Sequence, residues 1–328
     1  MLTDESIEEL VSQCCQGDED AVWELAAAAV GEPGRMAPHH ARLLTAGVFD
    51  RGEVYRGADE ATTRELVRLA DAADGVLRGE LFDCVANAHP AVAEEAFRRW
   101  RSAEDVDVHT RDAGWELLPS GTRRELLLGP AFELLPVDAE DIEAAPDGTA
   151  HGPYGAPVFG APSGEHCPWC RMELHAALDL PPGSAAARAL GLTGPDHVRV
   201  LSCPRCTDFG TVLSGYDGSG GARWLEHNER PSCNGPVIDG WDPYPTRLVL
   251  GPARPHGGSG SAWHDGGSAL GGHPDWIQDP ERPDCPLCGR PMLFASMNGG
   301  ADVWGGEGCL YVFVDLDCRT GAVLYQQS

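Results

Sequence analysis

The chain has 328 residues, a length typical of two or three domains, and a formal net charge of −27 with no lysine. A surface this acidic repels phosphate backbones, so we expect no direct nucleic-acid binding, and it would attract a basic protein partner. Solubility alone would explain much of the same charge.

The N-terminus, MLTDESIEEL, is polar and acidic, which is not the pattern of a secretory signal. No apolar run approaches the roughly 18 residues that a membrane span needs. The sequence therefore predicts a cytoplasmic protein that makes no contact with a membrane.

Helical periodicity dominates residues 1–135, which we expect to form a helical domain. Apolar residues recur at helical spacing in four stretches: Ile7, Leu10, Val11 and Cys14; Val22, Leu25, Ala26 and Ala29; Leu77, Leu81, Cys84, Val85 and Ala88; Ala93, Ala96, Phe97 and Trp100. Thr62 and Glu65 are expected to form a capping box at the start of a further helix. The stretch ANAHPAVAEEAFRRW resembles a unit of the HEAT-like helical-repeat class, and an irregular helical bundle is the alternative.

Residues 136–166 include a run rich in glycine, proline and alanine, which predicts a linker. Beyond it, VRVLSC, TRLVLG and CLYVFVDLD are short β-rich runs between glycine-rich turns. Residues 251–272 are expected to form a long surface loop. The predicted fold class is thus a helical domain followed by a β-rich α+β domain over residues 167–328.

Twelve cysteines are many for a protein of a reducing compartment. Cys14, Cys15 and Cys84 lie in helical patterns and are expected to be small core residues. The other nine lie beyond residue 166, and six of them form C-P-x-C pairs. That clustering indicates metal ligation instead of disulfide bonds.

The first two pairs are Cys167–Cys170 and Cys203–Cys206. Together they offer four thiolates, the ligand set of a closed tetrahedral zinc site, because a two-residue gap lets both sulfurs of a pair turn toward one ion. The alternative is a redox dithiol at Cys167 and Cys170, since MELHAALDL could form the helix that follows a thioredoxin-type pair.

A second group begins at Cys285 and Cys288 but lacks a second cysteine pair. In its place stands DLDC, in which Asp315 occupies the position of the first cysteine and Cys318 that of the second. Because a carboxylate can bind zinc, we predict a second site with Cys285, Cys288, Cys318 and either Asp315 or Cys309. A decayed site that keeps only a packing role is the alternative.

The histidines are not predicted to be ligands. His166 and His175 flank the first pair, but four cysteines leave no position for a further ligand or a catalytic water. His264 and His273 lie in glycine-rich stretches, where exposed polar residues are common. No H-E-x-x-H, G-x-S-x-G or phosphate-loop motif is present.

The two cysteine groups resemble each other in sequence. CPWCRMEL matches CPLCGRPM, and CPRCTDFGTVLSGYD matches DLDCRTGAVLYQQ, so each pair leads into a strand-like segment. This similarity predicts an internally duplicated unit, each copy with its own metal site.

The segment GGHPDWIQDPERPDCPLCGRPMLF, followed by GCLYVFVD and YQQ, resembles the bacterial YwqG-like domain. It is also distantly similar to the programmed-cell-death-protein-2 family. The resemblance implies a duplicated β-rich fold that binds other proteins, and it associates no catalytic residue with the chain. Trp276 in this motif is a large anchor for the core or for a binding pocket, and packing is the more ordinary role.

Together these patterns predict a non-enzymatic, zinc-binding protein that interacts with another protein or acts as a chaperone. An immunity protein that neutralises a toxin is one alternative. A thiol oxidoreductase that uses CPWC is another.

Overall fold

A computed structural model describes residues 3–102, 105–138, 156–231, 244–254 and 267–327. These residues form two compact units, which divide between Leu126 and Leu127. The predicted boundary at 135 is therefore too late, because the strand Phe132–Asp138 pairs within the sheet of the second unit. In the described ranges, no helix combines the length and the apolarity that crossing a membrane requires.

The first unit is mostly helical. Its elements are α1 (Asp4–Cys14), α2 (Glu19–Gly31), α3 (Pro33–Met36), α4 (His40–Ala46), a 3₁₀ turn (Gly52–Tyr55), α5 (Glu60–Ala72), α6 (Gly75–Asn87), α7 (Pro90–Trp100), α8 (Asp107–Asp112) and the antiparallel strands β1 (Trp115–Leu117) and β2 (Arg123–Glu125). The β1–β2 pair was not expected from the sequence, which reads as helical over this whole region.

Side-chain caps fix where several of these helices begin. Thr3 accepts a hydrogen bond from the Ser6 N–H at the start of α1, and Asp18 does the same for the first turn of α2. The prediction of a capping box at Thr62 and Glu65 is wrong. Asp59 is the cap of α5, and its carboxylate accepts the Thr62 N–H at 2.7 Å, so the helix begins one turn earlier.

The predicted apolar stripes form the core of this unit. Those of α1, α2 and α7 are buried throughout, whereas Leu77 of α6 is 46% exposed. Helix α5 packs against α6 and α7, and Trp115 closes the core with its indole N–H donated to the Ala86 carbonyl. Whether these helices are true HEAT-like repeats stays a prediction.

The second unit is built on antiparallel sheets. Its strands are β3 (Phe132–Asp138), β4 (Pro157–Phe159), β5 (Pro162–His166), β6 (Glu173–Leu180), β7 (Val198–Ser202), β8 (Val212–Tyr216), β9 (Ala222–Trp224), β10 (Thr246–Ala253), β11 (Ala269–Leu270), β12 (Leu293–Gly299), β13 (Cys309–Asp315) and β14 (Thr320–Gln326). Two short helices, α9 (Ala185–Ala189) and α10 (Gly300–Val303), lie between strands, and Thr207–Phe209 form a 3₁₀ turn.

Within the described ranges, one sheet has nine strands in the order β4-β10-β3-β11-β12-β13-β14-β8-β9, and β5-β6-β7 form a second sheet. The small sheet packs closely on the large one. A Cβ added at Gly321 of β14 would lie 2.4 Å from Cγ2 of Val200 in β7, so a glycine is needed where these strands meet. The apolar core lies between the sheets, with β6 and β7 supplying Leu178 and Val200 to it.

Two predictions need correction. The stretch 136–166 is not a plain linker in its described parts, because β3 ends inside it and β4 and β5 occupy its far end. MELHAALDL does not form a helix either, since its residues make strand β6. The rest of the linker, 139–155, and most of the glycine-rich span 251–272, including His264, lie outside the described residues.

Candidate metal centres

The first predicted cysteine group comes together in the second unit. One sulfur from each of Cys167, Cys170, Cys203 and Cys206 lies within 4.8 Å of the others, and we call this group site one. Individual sulfur pairs are 3.7 Å apart for Cys167–Cys206 and 3.4 Å apart for Cys170–Cys203. All four are free thiols and only Cys170 is partly exposed. This is a compact, closed set of four sulfur ligands.

A tight turn after β5 presents the first pair. The Cys167 N–H donates to the Met172 carbonyl at 2.9 Å, and the Arg171 N–H donates to the Cys167 carbonyl at 3.0 Å. Arg171 takes the left-handed conformation with φ of 68°, which is uncommon for a residue with a side chain. This turn reverses the chain from β5 into β6.

The second pair of site one follows β7. The Cys206 N–H donates to the Cys203 sulfur at 3.3 Å, and the Thr207 N–H donates to the Cys203 carbonyl at 3.1 Å. The Thr207 hydroxyl in turn accepts the Cys203 N–H at 3.2 Å. These bonds orient the Cys203 sulfur toward the first pair and satisfy its buried backbone.

Aromatic side chains enclose site one. Trp169 and Trp224 pack against the cysteines and meet edge to face, with ring centroids 4.9 Å apart. Leu174, Leu201 and Val212 complete the surrounding apolar cluster. Site one is thus sealed by packing on the sides that face the sheets.

The thiols of site one differ widely in pKa. Hydrogen bonds from Cys203 and Cys206 lower the pKa of Cys167 to about 2, whereas the hydrogen bond to Cys167 raises the pKa of Cys206 to about 12 and that of Cys203 further. Four thiolates this close repel one another, so they cannot all ionise unless a cation lies among them. Four sulfurs at this spacing could hold a metal ion.

The second predicted group also comes together, and we call it site two. Cys285, Cys288, Asp315 and Cys318 place one ligand atom each within 4.8 Å of the others. The Cys288 thiol donates to the Asp315 carboxylate at 3.1 Å, and the Cys318 N–H donates to the same carboxylate at 2.9 Å. Cys285 lies 3.3 Å from the Thr320 hydroxyl.

Cys309 does not join site two. It lies at the opposite end of β13 from Asp315, where it is buried and contacts the Leu310 carbonyl. A strand rises about 3.3 Å per residue, so six residues separate the two ends by roughly 20 Å. Asp315 and not Cys309 is therefore the fourth member of this group.

The turns of the two sites have the same hydrogen bonds. The Cys285 N–H donates to the Arg290 carbonyl and the Gly289 N–H to the Cys285 carbonyl, each at 2.8 Å, as at Cys167. Gly289 has φ of 70°, which matches the left-handed Arg171. The carboxylate of Asp315 accepts the Cys318 N–H in the way that the Cys203 sulfur accepts the Cys206 N–H.

The environment of site two differs from that of site one. Cys288 is exposed, and its neighbour Leu287 is 54% exposed. The Arg290 guanidinium lies 3.4 Å from the Cys288 sulfur and 3.7 Å from the Asp315 carboxylate, and it also pairs with Asp317 at 2.7 Å. Sequence reasoning missed this cation, because the match of CPLCGRPM with CPWCRMEL does not reveal a contact across the turn.

Trp276, the remaining predicted site residue, is a member of neither cysteine group. Trp276 is half-buried and stacks on Tyr311 and Phe313 of β13, with ring centroids at 4.6 and 6.2 Å. The Ile277 N–H donates to the Tyr311 hydroxyl, which donates to the Asp275 carbonyl. These contacts make Trp276 the anchor of its segment on the sheet.

The described histidines near these segments have other positions. His175 faces away from site one, with its Nδ1 3.0 Å from the Gly160 carbonyl. His166 is exposed at the end of β5, and His273 is buried with its Nδ1 3.1 Å from the Pro274 carbonyl. None of the three belongs to either metal-ligand group that the described residues form.

Comparison with known proteins finds a bacterial relative whose own function is not characterized. The uncharacterized protein YpfL of Salmonella typhimurium (strain LT2) is 31% identical over 253 residues, which is 72% of this chain and 56% of that protein. The chain thus spans a little over half of its relative's length. No family profile matches the sequence, and no solved structure matches it.

Proposed function

We propose that the chain is a non-enzymatic protein-binding protein whose second unit is stabilised by structural zinc. The observation that carries this proposal is site one, where four sulfurs lie within 4.8 Å of one another and three of the four cysteines are buried. A tetrahedral ion with four sulfur ligands has no open position for water or substrate, so its role is to hold the fold together.

The strand after Cys170 argues for zinc over a redox dithiol. Thioredoxin-type cysteines gain reactivity from a helix that begins at the pair, whereas Cys170 is followed by β6. In addition, Cys203 and Cys206 supply the two further sulfurs that a metal requires and a dithiol does not. We therefore assign CPWC a structural role.

We also infer that the second unit is an internal duplication. The β5–β6 pairing of His166 with Glu173 around the first C-P-x-C corresponds to the bridge between Asp284 and Pro291 around the later one. A Val-Leu dipeptide follows both CPRC and DLDC, and aligning the two dipeptides makes Val212 equivalent to Val323. These two valines pair directly where β8 meets β14, as a two-fold relation between copies requires.

A basic protein is the partner that the charge favours. The net charge of −27 would attract cationic surfaces and repel nucleic acids, in a salt-dependent way. The resemblance to protein-binding families, noted above on the GGHPDWIQ motif, supports the same class of ligand.

Zinc content tests the structural part of this proposal. We expect the purified wild-type protein to hold zinc, and Cys203→Ser to lose one ion per chain and to unfold at a lower temperature. Cys15→Ser, which removes a cysteine of the first unit, is the matched control and should keep full zinc. A wild-type protein without bound metal would refute the proposal.

Affinity capture tests the binding part. The tagged protein is used to capture partners from its native cells, and bound proteins are eluted with increasing salt and identified by mass spectrometry. We expect basic proteins in the salt-eluted fractions, because ionic screening weakens charge attraction. Reduction of insulin disulfides by the purified protein, abolished in Cys167→Ser, would instead establish the thiol oxidoreductase.

A further inference from the structure

We propose that site two is an exchangeable metal site, which binds a thiophilic divalent cation and releases it before site one does. This inference rests on the proposed function, because it takes the two groups as versions of one metal-binding turn. It assigns them different tasks, with site one as a permanent structural ion and site two as a site that responds to the free metal concentration.

The ligand set gives the first reason. Site two replaces the sulfur of Cys203 by the carboxylate of Asp315 in an otherwise matching turn. Thiolates hold soft and borderline cations more strongly than carboxylates do, so three sulfurs and one oxygen bind zinc less tightly than four sulfurs. The turn at Cys285 has the same backbone hydrogen bonds as the turn at Cys167, so we infer that site two can still bind a metal ion.

Solvent access gives the second reason. At site one, three of the four cysteines are buried in an apolar cluster against which Trp169 and Trp224 pack, whereas Cys288 of site two is exposed beside the exposed Leu287. A competing ligand in solution could therefore approach a bound ion beside Cys288, bind it, and take the place of the Cys288 sulfur. Closed, packed sites exchange slowly because the fold must open first.

Arg290 gives the third reason. Its guanidinium contacts both Cys288 and Asp315, so a permanent positive charge lies against two of the four ligands. The alignment of the two turns puts Met172, which carries no charge, in the same position at site one. When no metal ion is bound, the guanidinium still pairs with those two ligands. This charge pairing stabilises the metal-free form of site two.

Metal release from the full-length protein tests the proposal. Protein loaded with Zn²⁺ is mixed with an excess of a chromogenic chelator, and the appearance of the zinc–chelator complex is followed. We expect two phases of one ion each, separated by about 10- to 100-fold in rate, because changes in the surroundings of a metal site alter metal affinity by about that factor. A single phase for both ions would overturn the proposal.

Two variants assign the phases. Cys318→Ser should remove the fast phase and keep the slow one, and Asp315→Cys, which completes a fourth sulfur, should convert the fast phase into a slow one. Loss of the slow phase in Cys318→Ser, or a fast phase unchanged in Asp315→Cys, would contradict the assignment.

A titration of the wild-type protein with Co²⁺ avoids dependence on the variants. Sulfur-to-cobalt charge-transfer absorbance grows with the number of thiolate ligands, so the first ion bound should add more absorbance than the second. One bound ion with four-thiolate intensity and no second ion would refute the exchangeable site but leave the proposed function standing. No bound ion at all would refute both.

Discussion

At the scale of single residues, the two cysteine groups differ in one ligand atom, which is a carboxylate oxygen in site two and a sulfur in site one. Asp315 and Cys203 occupy matching turns and accept matching backbone N–H bonds, but one offers oxygen and the other sulfur. The pKa values of the site-one thiols are also set locally, because each depends on the hydrogen bonds that its sulfur makes to neighbouring cysteines.

Zinc binding at site one should release protons. At neutral pH the raised pKa values keep Cys203 and Cys206 as thiols in the metal-free protein, and the ion binds thiolates. Protons therefore compete with the metal, and affinity should fall as the pH falls. Titration with Zn²⁺ in weakly buffered solution with a pH indicator measures the release. Binding without proton release would contradict this prediction.

Trp276 should act through packing. Trp276→Ala removes the ring that stacks on Tyr311 and Phe313, and we expect a loss of about 3 kcal/mol in the free energy of unfolding. Trp276→Phe keeps part of the stack and should lose less. Urea denaturation measures both. A stable Trp276→Ala protein with weakened partner binding would make this residue a contact for the partner instead.

At the scale of elements, glycine positions control how segments approach each other. Gly271, in the loop that follows β11, has φ of 70°, and an added Cβ would lie 2.5 Å from the Pro130 carbonyl oxygen. The residue thus meets both a conformational and a steric requirement. Gly272 likewise has a positive φ, of 72°, so the chain makes a left-handed turn over these two glycines.

Gly271→Ala should destabilise the second unit more than a conformational penalty alone explains. Gly191 is the matched control, because its φ is 72° and a Cβ there would meet no atom within 4 Å. We expect Gly271→Ala to cost about 1–3 kcal/mol beyond Gly191→Ala, the usual range for an overpacked core. Thermal denaturation measures both variants. Equal losses of stability would show that the backbone near Gly271 shifts to accommodate the added Cβ.

The sequence predicted the membership of the two cysteine groups better than the secondary structure around them. The two-residue spacing of CPWC, CPRC, CPLC and DLDC is a local signal, and it identified both ligand groups. Strand β6 was ambiguous because it is buried on both faces, so it lacks the alternation that distinguishes a strand from a helix. The contact of Arg290 and the remote position of Cys309 depend on strand pairing, which the local pattern does not contain.

At the scale of the whole molecule, the two units have separate apolar cores. Both cysteine groups belong to the second unit, while the first unit has a helical core that contains no such group within the described residues. Metal binding and the stability of the first unit should therefore be independent.

Chelation should loosen one unit only. A structural zinc ion contributes on the order of 10 kcal/mol to local folding, so its removal by a strong chelator should expose the amides of β6, β7 and β8 to hydrogen exchange. The amides of α5 and α7 should keep their protection. Mass spectrometry of exchanged peptides measures both, and equal loss of protection in the two units would contradict independent stabilisation.

The direct pairing of Val212 with Val323 joins β8 to β14 within the large sheet. Two separate polypeptides would associate edge to edge by the same pattern. Either strand without its neighbour would present a row of unpaired backbone N–H and C=O groups to other extended chains, and the pairing of β8 with β14 removes that template for aggregation.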